Sequence, residues 1–283
     1  MSDRQHFSAP TLAGDLGGWV AAAGSPVLVL HGGPGLGYEY MDPVCDELRS
    51  DFQVATFQQR GLAPSTVQGP FTMAQAIDDV VSVIDALGWA RAFVVGHSWG
   101  GHLALRFTAA HPDRVLGTLA VESPGLVGDG GVAAFEAELI ARIPRDKRER
   151  LQVLVEREEA GDTSEQDSLE AHAITWPAYF ADPEQAPPMP PMRFSNEAFG
   201  PLVAAMTDDT PQVADALMVS PVRYAVLAGG ASPIPWGQAA RATSELSPTA
   251  TLTVVPSAGH FVWHEAPGCV RHALHVLARD PPA

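Results

Sequence analysis

The stretch Ala92-Phe93-Val94-Val95-Gly96-His97-Ser98-Trp99-Gly100-Gly101 decides how this chain is read. Its four leading apolar residues form a buried-strand pattern that Gly96 closes. From Ser98 to His111 the spacing is helical, and Pro112 ends it. A G-x-S-x-G run between a strand and a helix is the context a nucleophile elbow requires. The sharp turn holds the serine in a strained backbone conformation, and the flanking glycines avoid clashes with the neighbouring strand and helix. The hydroxyl then stands at a helix N-terminus, where the dipole favours developing negative charge.

Working outward, the apolar run Val27–Leu30 leads into His31-Gly32-Gly33-Pro34-Gly35. A glycine-rich turn there presents a backbone N–H to an oxyanion, with Gly33 the expected donor and Trp99, the residue after Ser98, its pair. Neither G-x-x-x-x-G-K-[ST] nor G-x-G-x-x-G occurs, which argues against a phosphate loop. Phe52–Phe57 and Val115–Val121 read as further strands, and Ala74–Leu87 as a helix with one apolar face. The alternation breaks near Ser123 and resumes with a strand at Tyr224–Ala228, a helix at Gln238–Glu245, a strand at Thr251–Val255 and a helix at Pro267–Leu277. Apolar strands alternating with helices predict an α/β fold, its mostly parallel sheet covered on both faces. The core is assigned to 1–122 and 222–283, and 123–221 to an inserted helical cap. The cap carries 18 of the 33 acids and has six prolines in the fifteen residues from Pro177 to Pro191, which rules out regular helix or central strand there.

A general base is expected late in the chain. In Ala258-Gly259-His260-Phe261, His260 lies on a loop after a strand, placed to reach Ser98. His102, one turn beyond Ser98, reads as packed or solvent-facing, and His97 as a residue of the pocket rim. His264, His272 and His275 belong to the last helical region. His260 and His264 stand four apart, but the helix is expected to begin beyond them, so no metal pair is read.

The 283 residues are 46% hydrophobic and 18% charged, enough for one large core. A net charge of −16 argues against a nucleic-acid or anionic-membrane partner. The mixed-sign run Arg145–Arg150 reads as a solvated helix face. Cys45 and Cys269 form no C-x-x-C motif. Neither a signal core nor a run of ~18 apolar residues is present, which places the chain in the cytoplasm as an expectation. Oligomeric state is not legible.

These motifs resemble the α/β-hydrolases, and the first half of the chain resembles the proline iminopeptidase group. The matching pieces are His31–Gly35, Gln59-Arg60-Gly61 with Ser65, Gly96–Gly101, and Gly259-His260-Phe261 with Glu265-Ala266-Pro267. The resemblance implies cofactor-independent hydrolysis of an ester, amide or peptide bond in a small molecule or short peptide, through an acyl-enzyme on Ser98. Gln58 stands where that group has aspartate. A larger departure concerns the acid that orients the histidine. The family pattern G-x-x-D-x-x-x-P reads Gly229-Gly230-Ala231-Ser232-Pro233-Ile234-Pro235, with Ser232 in the aspartate's place. Pro233 replaces the acid that in the iminopeptidases grips a substrate amine, which weakens the aminopeptidase reading.

The missing carboxylate is sought at the end of the preceding core strand, where Glu122 follows Val115–Val121. That placement resembles haloalkane dehalogenases whose acid has moved to this strand. Asp208, Asp209 and Asp215 of the cap are the alternatives. Trp176, Tyr179, Phe180, Met189 and Met192 are candidate substrate-pocket residues. A lyase on the same fold and a catalytically silent binding protein are the competing readings.

Overall fold

The computed structural model describes residues 4–279. Eight strands form one sheet in the order β1-β2-β4-β3-β5-β6-β7-β8. They are β1 (Gln5–Ala9), β2 (Leu16–Ala21), β3 (Pro26–Leu30), β4 (Gln53–Phe57), β5 (Ala92–His97), β6 (Val115–Val121), β7 (Tyr224–Gly229) and β8 (Thr251–Val255). From β4 to β8 every pairing is parallel, while β1 and β2 pair antiparallel at one edge. The two antiparallel strands at this end of the sheet escape the sequence reading. Most of β1 is solvent-exposed, and β2 begins Leu16-Gly17-Gly18, so neither shows the apolar run of the interior strands.

The helices of the core are α1 (Asp42–Leu48), α2 (Met73–Ala86) and α3 (Trp99–Ala110). Thr72 caps α2, its side chain accepting from the Gln75 N–H. Leu28, Leu30, Val94 and Leu103 are fully buried between the sheet and the α2–α3 face, and Val27, Val29 and Val95 pack on the opposite face. Two buried faces explain why β3 and β5 read as continuous apolar runs.

Between β6 and β7 run α4 (Val132–Arg142), α5 (Arg145–Glu159), α6 (Glu165–Thr175), α7 (Asn196–Ala204) and α8 (Thr210–Val219). Arg145 to Arg150 are exposed on α5. The proline-rich stretch holds only two short 3-10 turns, Trp176–Tyr179 and Pro183–Gln185.

After β7 the expected helix is partly a π-turn, Gly237–Arg241, before one turn of α9 (Ala242–Ser244). The C-terminal helix also departs from expectation. A separate turn, α10 (Val262–Glu265), already contains His264, and α11 (Cys269–Arg279) starts two residues later than read. Gly268, at φ +89°, breaks the two apart. No helix among the described residues is long and apolar enough to cross a membrane.

Candidate active site

The site lies at the C-terminal edge of the parallel strands. Ser98 leaves β5 at φ 53°, ψ −123°, a conformation that non-glycine residues rarely adopt. Its N–H is held at 2.8 Å by the Val121 carbonyl of β6. A β-carbon on Gly100 would collide with the Leu30 carbonyl of β3, so this turn admits only glycine there.

The neighbouring strand repeats the device. Glu122 leaves β6 at φ 50°, with its N–H 2.8 Å from the Leu227 carbonyl of β7. Its carboxylate is buried and turns back along the sheet edge. One oxygen accepts the Gly229 N–H. The other accepts the Ser232 hydroxyl and lies 3.2 Å from His260 Nδ1. Of the alternative acids, Asp208 and Asp209 lie beside the Arg106 guanidinium.

The His260 loop is fastened at several points. Its N–H donates to the Tyr179 carbonyl at 2.7 Å. Glu265 accepts the Gly259 N–H at 2.7 Å and the Ala181 N–H at 3.0 Å, which binds this loop to the insertion. Burial pulls both members of the Glu122–His260 pair toward their neutral forms: the imidazole is pushed down and the carboxyl up. The two donors on Glu122 work the other way and favour the carboxylate.

Ser98 and His260 face one cavity of about 260 Å³, bordered also by Gly33 and Trp99. Among the described contacts no hydrogen bond joins Ser98 Oγ to His260, and the backbone N–H groups of Gly33 and Trp99 donate to no other group. Such donor–acceptor contacts often close only once substrate is bound. Gly33 sits at φ +57° and has no room for a β-carbon beside Leu36.

Around it, the Gln59-Arg60 pair acts as a brace. Gln59 Nε2 donates to the His31 carbonyl at 2.8 Å, and its Oε1 accepts the Trp99 indole N–H at 3.0 Å. Arg60 forms a buried two-point pair with Asp79 of α2, each contact 2.6 Å. Gln58 Nε2 donates to the Leu36 carbonyl at 3.0 Å and its Oε1 accepts the Tyr38 N–H at 3.2 Å.

Of the five residues proposed for the substrate pocket, Trp176, Tyr179 and Met192 line the cavity. Phe180 and Met189 do not. The Phe180 ring packs behind the wall, 5.3 Å from Trp176 and 5.4 Å from Phe261, and Met189 rests against the same apolar cluster. Part of the remaining wall comes from helical residues the sequence reading missed: Val132, Phe135 and Glu136 on α4, His172 on α6, Phe199 and Val203 on α7, and Met206. Their i, i+3, i+4 and i, i+4, i+7 spacings were the available signal. His97, although buried, borders the cavity as expected. His102 is packed, with Nε2 accepting from Arg106 at 2.8 Å, and is not solvent-facing. His264 is exposed on α10. Among the described residues no cluster of three His, Cys, Asp or Glu side chains is arranged to hold a metal.

An eight-stranded, mostly parallel sheet with a serine elbow on β5 and a histidine after β8 defines an α/β-hydrolase. The chain belongs to the Alpha/beta hydrolase family, whose pattern it matches over residues 27–270. It is 34% identical over 112 residues to epoxide hydrolase B of Mycobacterium tuberculosis, covering 37% of this chain and 32% of that protein. It is 36% identical over 104 residues to a probable proline iminopeptidase of Leptolyngbya boryana, covering 34% of this chain and 30% of that one. The matches thus span about a third of the length of these curated relatives. Among solved structures, the 2-hydroxy-6-oxo-6-phenylhexa-2,4-dienoate hydrolase of Rhodococcus sp. strain RHA1 superposes with a TM-score of 0.71 at 18% identity, over 99% of this chain and 100% of that one. At that identity the likeness concerns the fold.

Proposed function

We propose that this protein is a serine hydrolase that cleaves a neutral, largely apolar ester or related acyl compound without a cofactor. The observation that carries the reading is the buried Glu122–His260 contact, 3.2 Å long, opening on the same cavity as the strained Ser98. Nδ1 of His260 is taken by Glu122, so Nε2 is the nitrogen left for the serine proton. In the reaction Ser98 Oγ attacks the acyl carbon and its proton passes to Nε2. Glu122 stabilises the imidazolium, and the Gly33 and Trp99 N–H groups receive the oxyanion. Collapse expels the leaving group, which takes the proton from His260. Water, activated by the same imidazole, then releases the acid and regenerates Ser98.

The composition of the wall supports this substrate class. Apart from the exposed Glu136 at its edge, the cavity is lined by aromatic, aliphatic and neutral polar groups, with no lysine or arginine among the described lining residues. An acyl chain bearing a carboxylate would find no partner there and would meet a protein of net charge −16. Of the acids that could grip a substrate amine, two are engaged elsewhere, which leaves the exposed Glu136 at the cavity edge. Glu170 is paired with Arg150, and Glu197 accepts from Ser195.

The test is covalent. A fluorophosphonate is expected to add one adduct, mapped to Ser98 by mass spectrometry, and Ser98→Ala to lose both the adduct and ~10⁴-fold or more of p-nitrophenyl butyrate hydrolysis. Retained turnover or a label elsewhere sinks the assignment. Incorporation of oxygen from labelled water into the acid product separates hydrolysis from a lyase reaction. The p-nitrophenyl monoester of glutarate is expected to react at least tenfold more slowly than the butyrate, and prolyl naphthylamide more slowly than either. A faster prolyl amide overturns the substrate class.

A further inference from the structure

Three segments distant in sequence meet behind Ser98 through a single chain of hydrogen bonds. The Gly32 N–H donates to the Tyr40 hydroxyl oxygen at 2.5 Å. That oxygen lies 3.0 Å from His97 Nδ1, and His97 Nε2 lies 3.1 Å from the carbonyl oxygen of His260. Tyr40 is 9% exposed and His97 1%, and both border the cavity that Ser98 faces.

The proton directions are forced. A carbonyl oxygen only accepts, so His97 Nε2 must carry the hydrogen. A neutral imidazole then has a bare Nδ1, which must accept. The phenol has one proton and already accepts from Gly32, so it donates to Nδ1. Every donor in the chain has one acceptor.

The ends of this chain matter. Gly32 precedes Gly33, the proposed oxyanion donor. His97 precedes Ser98. The far end holds the backbone of His260, whose N–H is fixed on its other side by Tyr179 at 2.7 Å.

We infer that Tyr40 and His97 are positioning residues for the proposed reaction, setting the oxyanion loop and the base loop in register with the nucleophile between them. The inference rests on the hydrolase reading above. Neither side chain needs to touch the reacting atoms. An apolar residue at position 97 would fill the space but leave the Tyr40 O–H and the His260 carbonyl without partners.

An oxyanion donor and a base act on the transition state, so loosening them lowers kcat and leaves ground-state binding largely intact. The test is a double-mutant cycle on p-nitrophenyl butyrate with Tyr40→Phe, His97→Leu and the pair. Each single variant is expected to lose about 10- to 100-fold in kcat with KM within about twofold. The double variant is expected to be no slower than the slower single, because one broken link uncouples the chain. His97→Gln, whose amide can still donate toward the His260 carbonyl, is expected to be faster than His97→Leu. Losses that multiply in the double variant, or that appear in KM, overturn the inference.

A second measurement needs no substitution. Nitrogen-15 shifts of the His97 ring are expected to show the Nε2–H tautomer, and the Nδ1–H tautomer overturns the chain. An inactive wild-type protein would sink the hydrolase reading and this inference together. An active one with independent losses sinks only this inference.

Discussion

Two neighbouring strands end at the same edge of the sheet and finish differently. β6 ends in Glu122, at φ 50° with its carboxylate folded back along the edge. β7 ends in Gly229-Gly230-Ala231-Ser232, where related sequences would place an aspartate. The carboxylate of the first reaches His260 Nδ1, and the second contributes an N–H and a hydroxyl that both donate to that carboxylate. Adjacent parallel strands stand only ~4.8 Å apart, so glutamate, one methylene longer than aspartate, can reach from the end of its own strand toward the end of the next. The loop that lacks the acid has become a cradle for it. Ser232, a poor partner for an imidazole when considered alone, is well suited to hold a carboxylate.

The comparison breaks first at Glu122. Glu122→Gln keeps the size and the hydrogen-bonding oxygen but removes the charge that supports an imidazolium. It is expected to lower kcat by ~10³–10⁴-fold, the scale of removing the acid from such triads. Loss of less than tenfold, measured on the same ester, would show that the contact with His260 is structural. The two strand ends are then compared directly by adding Ser232→Asp to Glu122→Gln. If the ends are interchangeable, the double variant regains at least tenfold in kcat over Glu122→Gln. No recovery would show that the β7 end no longer points its side chain at the ring.

Ser232→Ala probes the cradle alone. It removes one donor that holds the Glu122 carboxyl down. About tenfold in kcat is the expected loss, together with an alkaline shift of the rising limb of the rate profile, since the carboxylate then forms less readily. An unchanged pH profile would exclude the hydroxyl from the acid's electrostatics.

Stability carries the smallest signal, and its sign is fixed by linkage. Burial raises the Glu122 carboxyl above its ordinary value of 4.5. The unfolded chain therefore releases that proton first, and wild-type stability falls as pH rises from 4.5 through the folded value. Glutamine does not titrate, so the melting temperature of Glu122→Gln relative to wild type is expected to increase from pH 5 to pH 9. On the acid side the opposite holds. His31 is pushed down to about 4 and His102 to about 3 by burial, from an ordinary 6.5. The unfolded chain binds those protons first, so stability is held above pH 6.5 and lost as pH falls toward 4 and 3. In Glu122→Gln, where the opposing carboxyl is removed, a melting temperature flat from pH 7 to pH 4 would contradict the buried neutral imidazoles.

Legibility differed between the core and the insertion for a physical reason. β3, β5, β6 and β7 are buried on both faces, so their sequences are mostly apolar and easily found. The antiparallel strands β1 and β2 lack that pattern. The insertion was legible as helical without all of its helices being separately resolved, and which faces line the cavity depends on how they fold back over the sheet. Trp176 and Tyr179 face the cavity while Phe180, the next residue, packs behind it.

The chain alone determined the strand–turn–helix at Ser98, the glycine-rich loop after β3 and the late position of His260, because each depends on local turns or on the few residues that fit them. Glycine beside the Leu30 carbonyl and an apolar strand before Ser98 are constraints written within ten residues of each other. Tertiary structure decided everything that joins distant segments. It brought Glu122 to His260 across 138 positions, turned Ser232 from an apparent deficit into a donor, and linked Gly32, Tyr40, His97 and the His260 carbonyl. Hydrogen bonds of this kind follow from strand order and register, which bring together in space residues whose sequence separation carries no periodic signal.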